Sequence, residues 1–327
     1  MIAKTEHEII QNWPKEWNKP LVSIRCLAYN HEAFIAEALD SFLSQKTNFP
    51  FEIVVHDDVS TDKTADIIRE YECKYPQIIK PIYEIENQFS KKDGSLARIV
   101  DSACKGKYIA YCEGDDFWVN PLKLQKQVDI LEENPKVSLV HTGFITVDEK
   151  GNEIYRSRFI EYQNESKKEE GLKSLFKGNH IMTLTIMIRR EIINTPLYLQ
   201  YPHKWDYTIF FAAAFLGDIK YIPQNMGAYR KVFTSVTQAH SNKLHNELYK
   251  VYKFYAEKFL ISHQKKLNIF DSISCLYRIL TNVIIHKDMK FLFEIVKNKP
   301  TRFFFLPISF VNACYLRLKV FTKHFNK

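Results

Sequence analysis

Two short acidic runs hold the residues best suited to chemistry. Glu113-Gly114-Asp115-Asp116 places carboxylates on either side of one glycine, and Asp57-Asp58 is a second pair. Carboxylates gathered beside a polar cleft repel one another unless something positive lies between them. A divalent cation with a diphosphate is a natural occupant, because Mg²⁺ takes one or two carboxylates and completes its shell with phosphate oxygens and water. Gly114 would let backbone approach such a ligand closely. On this reading Asp115 binds the metal directly, and Glu113 binds it through water or holds a ribose hydroxyl. The competing reading is structural: Asp115 and Asp116 would cap the helix that begins near Pro121. Asp57-Asp58 poses the same choice. There, Ser60, Thr61 or Asp62 already suffices as a cap for the next helix, which leaves Asp57 in surplus.

The elements that must position these acids alternate. Leu21–Leu27 reads as a buried strand closed by the polar Tyr29-Asn30-His31, and Glu32–Ser44 has helical spacing of apolar residues. Phe51–Val55 is a second strand, leading into His56-Asp57-Asp58 and a helix over Ala65–Lys74. Ile78–Ile85 is a weaker strand, Leu96–Ala103 a helix, and Tyr108–Cys112 a fourth strand. Leu122–Glu133 is a helix bounded by Pro121 and Pro135. Four strand–helix alternations predict an α/β fold with a mainly parallel sheet. Ligands of such sheets sit outside the carboxyl ends of the strands. Tyr29-Asn30, Asp57-Asp58 and Glu113–Asp116 all fall at strand ends, so strands lying side by side would bring them to one edge.

The second half is less regular. Val137–Val147 and Met182–Ile188 read as strands, Asp148–Asn152 as a hairpin turn and Trp205–Leu216 as a helix with Gly217 as its C-terminal cap. Beyond Ser241 the pattern is mainly helical. The expected organisation is an N-terminal extension over 1–20, one α/β domain over 21–240 and a helical region over 241–327.

Bulk composition narrows the function classes. Of 327 residues, 46% are hydrophobic, and the nine glycines and twelve prolines are too few for a low-complexity or collagen-like chain. The six cysteines form no CxxC pair, which argues against a zinc knuckle or a redox motif. Met1–Pro20 lacks the apolar stretch of a secretory signal, so a cytoplasmic protein is the expectation. The longest uncharged run, Phe303–Leu316, is too short and too interrupted for a membrane span. Charge is unevenly placed. Residues 241–327 hold sixteen Lys/Arg against five Asp/Glu, a net of +11, so the first 240 carry −3 of the chain's +8. A basic back half suggests an anionic partner. The acidic front opposes a phosphate backbone, so no nucleic-acid partner is expected.

At this point the residues resemble a family. Glu52-Ile53-Val54-Val55-His56-Asp57-Asp58-Val59-Ser60-Thr61-Asp62-Lys63-Thr64 is similar to the first nucleotide-binding motif of family 2 glycosyltransferases. Gly106-Lys107-Tyr108-Ile109-Ala110-Tyr111-Cys112-Glu113-Gly114-Asp115-Asp116-Phe117-Trp118 is similar to their DxD region. Pro121–Gln127 resembles members that build bacterial surface polysaccharides. The resemblance spans roughly residues 20–235. It implies a GT-A fold, a Rossmann-like mainly parallel sheet flanked by helices, with the helical C-terminal region as an appendage. It also implies inverting transfer from a nucleoside-diphosphate sugar, UDP-linked by preference, to a saccharide or lipid-linked saccharide hydroxyl.

Carried over by position, Ala28 and Tyr29 would line the nucleotide pocket, with Tyr29 near the base. Asp57 would accept from the uracil N–H, with Asp58 beside it, and Arg98 or Asn87 would lie along the nucleotide. Glu113 belongs to the same site, and Asp115 would hold Mg²⁺ or Mn²⁺ on the diphosphate. The family's catalytic base matches Asp206, although Trp205 stands where an acid usually precedes it. A capping role is the alternative for Asp206. Trp205 would be a platform for an acceptor sugar or a packing residue, and Thr183 is a further acceptor-side candidate. Gly227-Ala228-Tyr229-Arg230 resembles the family's Tyr-Arg element, but Val232 stands where relatives have His, leaving His240 as a substitute. The basic, aromatic tail reads either as an appendage lying on the anionic inner face of the plasma membrane or as ordinary core packing. A nucleotidyltransferase and a non-catalytic nucleotide-sugar binding protein are the competing functions. The first would show a glycine-rich basic loop after strand one, which this chain lacks.

Overall fold

Strands β1 (Val22–Ala28) and β2 (Phe51–Asp57) are buried along nearly their whole lengths, because crossover helices cover both faces of a parallel sheet. The computed structural model describes residues 4–16, 18–154, 171–177, 179, 181–201, 206–232, 241–262, 279–280, 283, 288 and 290–291. The chain divides into two compact units, residues 1–171 with 180–248, and residues 172–179 with 249–327.

The first unit is built on one eight-stranded sheet in the order β3-β2-β1-β4-β7-β6-β8-β5. Its remaining strands are β3 (Ile79–Tyr83), β4 (Tyr108–Tyr111), β5 (Phe117–Trp118), β6 (Val137–Val147), β7 (Met187–Arg189) and β8 (Asp218–Arg230). The β3-β2-β1-β4 half is parallel throughout. β7 then runs antiparallel to both β4 and β6. β8 is parallel to β6, and β5 antiparallel to β8. Register pairs Ala28 with Asp57 and Arg25 with Tyr111, so the strand ends carrying Tyr29, Asp57-Asp58 and Glu113–Asp116 lie side by side.

Helix α1 (Glu6–Ile10) starts with a capping box between Thr5 and Glu8 and delivers Ile9 to the core. Trp13 is buried against the ring of Phe51 and donates to Thr47. Helices α2 (Ile35–Leu43), α3 (Thr64–Lys74), α4 (Ser95–Ala103) and α5 (Lys123–Glu133) follow β1, β2, β3 and β5 in turn.

The structure changes two readings of the second half. Met182–Ile188 is not one strand. Thr185 turns back through both its N–H and its hydroxyl to the Met182 carbonyl, closing a 3₁₀ turn over Thr183–Thr185 before β7 begins. The thirteen residues of β8 form the longest strand, and the sequence pattern does not announce it. Pro223-Gln224-Asn225 interrupts its alternation, and the β6–β8 register shifts at Thr142/Gly143 and Gly143/Phe144.

Helix α6 (Leu172–Lys177) belongs to the second unit. Helices α7 (Pro196–Leu199) and α8 (Asp206–Leu216) belong to the first. The chain enters the second unit within α9 (Ser241–Ser262). There Phe176 packs edge-on to Tyr252, and Lys253 pairs with Asp288 at 2.8 Å. Among the described residues no helix is long and apolar enough to cross a membrane. Phe303–Leu316 and the Arg317–Lys327 end lie outside the described residues.

Candidate active site

The loops after β1 and β2 are laced together. Asn30 donates its N–H to Ser60 and accepts from the Thr61 N–H, Asp62 accepts from the Glu32 N–H and Glu32 from the Lys63 N–H, and the His31 N–H reaches Thr64. Val59 sits between Asp58 and Ser60 at φ 63°, a left-handed conformation that costs a β-branched residue on the order of 1–3 kcal/mol. This strained turn separates the roles of the two neighbouring acids. Asp58 accepts the N–H groups of Gln88 and Phe89 on its two oxygens, at 2.7 and 3.0 Å, and its carbonyl accepts from Asn87. Asp58 and Asn87 thus pin the loop after β3. Asp57 is also buried, and its Oδ2 accepts from the Ser60 N–H. Its Oδ1 is enclosed without a hydrogen-bond partner. A buried carboxylate oxygen left without a partner at the end of a parallel strand keeps acceptor capacity at the edge where ligands of such sheets bind.

Ala28 is buried at the end of β1, where its carbonyl accepts from Asp58, and Tyr29 beside it is 47% exposed. Arg98 is tied elsewhere: its guanidinium donates to the Asp93 carbonyl at the start of its own helix.

The acidic run after β4 is held from a distance. Helix α5 has no side-chain cap, so Asp115 and Asp116 do not serve that purpose. The holder is Arg230, at the end of β8 and 3% exposed. Its N–H donates to Asp116 Oδ1 at 2.8 Å and its Nε to the Asp115 carbonyl at 2.9 Å. Its Nη atoms reach the carbonyls of Asp148 and Glu149 and the carboxylate of Glu37. The guanidinium lies over the rings of Phe34 and Phe117. With its donors spent on these partners, Arg230 is a clamp on the acidic loop. Gly114 is closely packed: a Cβ there would stand 2.9 Å from Ile35 Cδ1 and 3.0 Å from the His31 ring, so these side chains would have to shift.

That clamp leaves the Asp115 carboxylate about a quarter exposed, with no hydrogen-bond donor among the described residues and with His31 Nε2 at 4.0 Å. Burial lowers the His31 pKa, against the pull of Asp115 in the other direction. Among the described residues no three His, Cys, Asp or Glu side chains are grouped to hold a metal by themselves. The donor set instead fits an ion shared between one protein carboxylate, diphosphate oxygens and water.

Asp206 opens α8, and Thr183 of the 3₁₀ turn donates its hydroxyl to Asp206 Oδ2 at 2.5 Å. The turn itself is fixed by Trp118, which donates to the Leu184 carbonyl, and by Gln127, which donates to that of Thr185. Desolvation pushes the Glu113 carboxyl up to about 8, helped by the charges of Asp206 and Asp115 and opposed by Arg25. Desolvation also raises Asp206, although its side chain is exposed, while the Thr183 hydroxyl and Arg25 hold that rise down. Near neutral pH Glu113 therefore holds its proton.

Arg25, a buried cation beside the acids, was not singled out by the sequence pattern. Lying in a buried strand, it pairs with Asp101 at 3.0 Å, and Tyr198 donates to the other Asp101 oxygen. Its guanidinium stacks over Tyr111, two residues before Glu113. Burial alone would lower its pKa, but Asp101, Tyr111, Tyr198 and Glu113 together more than offset this and raise it, which keeps a fixed positive charge beneath the acids. A cation in an otherwise apolar strand was the available signal. Trp205 and His240 lie outside the described residues.

Comparison with known proteins agrees with this geometry. The sequence profile of glycosyl transferase family 2 matches residues 23–195. A protein of Mycobacterium tuberculosis is 35% identical over 215 residues, 64% of this chain and 58% of that protein. The chain thus spans under two thirds of that relative's length. S. aureus TarS 1–349 in complex with UDP-GlcNAc superposes with a TM-score of 0.59 at 18% identity, covering 80% of this chain and 72% of that one. The mannosyltransferase PcManGT from Pyrobaculum calidifontis, in complex with GDP-Man and Mn²⁺, gives 0.52 at 15% identity, covering 93% and 88%. These likenesses show a GT-A fold. Because the matched stretch runs from β1 through the Asp57 turn and the clamped acidic loop to β7, the chain belongs to glycosyl transferase family 2.

Proposed function

We propose that this chain transfers a glycosyl unit, with inversion, from a nucleoside-diphosphate sugar to a hydroxyl of a saccharide or lipid-linked saccharide in bacterial surface-polysaccharide synthesis. The observation that carries the reading is the set of acids at one sheet edge. Asp57 offers an orphaned acceptor, Asp115 an unengaged carboxylate and Asp206 a carboxylate oriented by Thr183.

Each has a separate role. Asp57 Oδ1 accepts from a base N–H, for which the imide of uracil is the proposed partner, with Tyr29 beside the base. Mn²⁺ or Mg²⁺, held by Asp115 together with the donor's diphosphate, would offset the charge that gathers on the leaving group. Asp206 takes the proton of the acceptor hydroxyl as that oxygen attacks the anomeric carbon and the bond to the diphosphate breaks. Base assistance of this kind is worth roughly 10²–10⁴ in rate. Thr183 positions Asp206 and fixes which of its oxygens faces the acceptor. Glu113 near neutral pH is a protonated neighbour able to donate to a sugar or ribose oxygen. The work is mainly positioning and electrostatic preorganisation. Nucleotide sugars place the reaction in the cytoplasm, and the basic composition of residues 241–327 supports a peripheral position on the inner membrane face.

Purified protein with Mn²⁺, screened against UDP- and GDP-sugars and saccharide acceptors, tests the proposal. Release of UDP dependent on both metal and acceptor is expected. Failure of nucleoside diphosphates to bind with or without metal would sink it.

A further inference from the structure

The edge of the sheet opposite the acids holds a cavity of about 640 Å³. Four separate segments meet there, because β1, β2 and β4 begin at that edge and antiparallel β7 ends at it. Backbone hydrogen bonds from Leu21 to Pro50, from Tyr108 to Leu21 and from Arg190 to Lys107 draw the segments together. Lys19, Lys105, Lys107 and Arg190 all line the cavity, against a single acid, Glu16. Leu21, Phe49 and Pro50 supply an apolar floor. Lys107 is paired with Glu132 at 2.8 Å. Among the described residues the side-chain charges of Lys19, Lys105 and Arg190 have no carboxylate partner, although the Lys105 N–H donates to Glu52 and the Arg190 guanidinium to the Cys104 carbonyl.

Like charges that converge on a concave surface focus a positive potential in it, and an anion relieves their repulsion. Arg190 adds a planar fork suited to a phosphate, and lysines serve as mobile point charges around one. The apolar floor lets the phosphate be carried on a hydrophobic body. The cavity lies at the far ends of the strands from Asp57, Asp115 and Asp206, so a donor diphosphate held there does not reach it. We propose that this cavity is a second anion site, taking a phosphate group borne on an apolar body such as a phospholipid headgroup. It uses only residues of the first unit and owes nothing to the basic C-terminal region.

The full chain and a Lys19→Gln, Lys105→Gln, Arg190→Gln triple variant would be compared in three arms at low salt. The arms are flotation with phosphatidylglycerol–phosphatidylcholine vesicles, titration with dihexanoyl phosphatidic acid below its micelle concentration, and titration with inorganic phosphate. Loss of three basic groups near an anionic surface should weaken vesicle binding about a hundredfold. The denaturation midpoint of the variant should match that of the wild type, which shows that the variant is folded whether or not the glycosyl-transfer reading holds. Lysine- and arginine-dependent binding of lipid but not of inorganic phosphate identifies a headgroup as the occupant. Equal dependence in the phosphate arm identifies a free phosphate. No binding by the wild-type chain, or equal binding by both chains in every arm, overturns the proposal.

Discussion

The two edges of the same sheet have opposite chemistry. The carboxyl edge collects Asp57, Glu113, Asp115 and Asp206, whereas the amino edge collects Lys19, Lys105, Lys107 and Arg190. The topology favours this division. A crossover helix begins near the carboxyl edge and ends near the amino edge, so helix N-termini face the acids and helix C-termini face the cations. Lys105 and Lys107, for example, directly follow the end of α4. The edges also differ in how their charges are held. The acids are aimed by specific partners, the buried Arg230 and the half-buried Thr183, while the opposing lysines stand on exposed loops. The lesson is that an edge doing chemistry needs its groups fixed, whereas an edge that only attracts an anion needs their charge.

The sharpest way to break the comparison is to remove an acid that the reaction uses. Asp115→Ala should lower turnover at least about a thousandfold with metal-dependent donor binding lost. Asp206→Asn should lower turnover roughly 10²–10⁴-fold while UDP binding, read by calorimetry, stays as in the wild type. Wild-type turnover by Asp206→Asn would remove it from the mechanism.

Arg230 is a cation at the acidic edge, and removing it tests whether that edge is aimed or merely charged. Arg230→Ala strips the carbonyls of Asp115, Asp148 and Glu149 and the Glu37 carboxylate of their side-chain donor, and should cost about 3 kcal/mol of stability, read as a shifted denaturation midpoint. A change below about 0.5 kcal/mol would refute the clamp.

A smaller effect is expected at Asp57. Asp57→Ala removes an orphaned acceptor oxygen and should raise the Kd of UDP about tenfold, with less effect on GDP. Equal loss for both nucleotides would refute base reading by this oxygen.

The smallest effect concerns pH. Folding lifts Glu113 from its ordinary value of 4.5 to about 8. Between these values the folded chain keeps a proton that the unfolded chain releases, so this group's contribution to stability is present below about 4.5 and is lost as pH rises through 8. In metal-free buffer, wild-type stability should therefore fall more steeply over that range than that of Glu113→Gln, as measured by urea unfolding. Parallel pH profiles for the two chains would show that Glu113 ionises normally.

Much of the parallel half was legible in the sequence because its signals are local. A buried apolar run that ends in polar residues states both a strand and the place where a ligand meets it, as at Asp57 and Glu113–Asp116. Residues whose partners are distant in sequence were not legible. Asp58 looked like a twin of Asp57, yet a strained turn at Val59 sends it to the backbone of Gln88 and Phe89. The identity of β8 was hidden because its pairing with β6 is bulged and its proline breaks the alternation.

By itself the sequence determined the α/β alternation, the order of the acidic motifs along the chain and the family that those motifs resemble. It could do so because hydrophobic period and strand-end polarity are properties of neighbouring residues. Only the tertiary structure decided which acids keep an unengaged oxygen, which are spent on the backbone, and which residue clamps the site. Those outcomes depend on contacts such as Arg230 with Asp116 and Thr183 with Asp206, which exist only after distant segments have closed on one another.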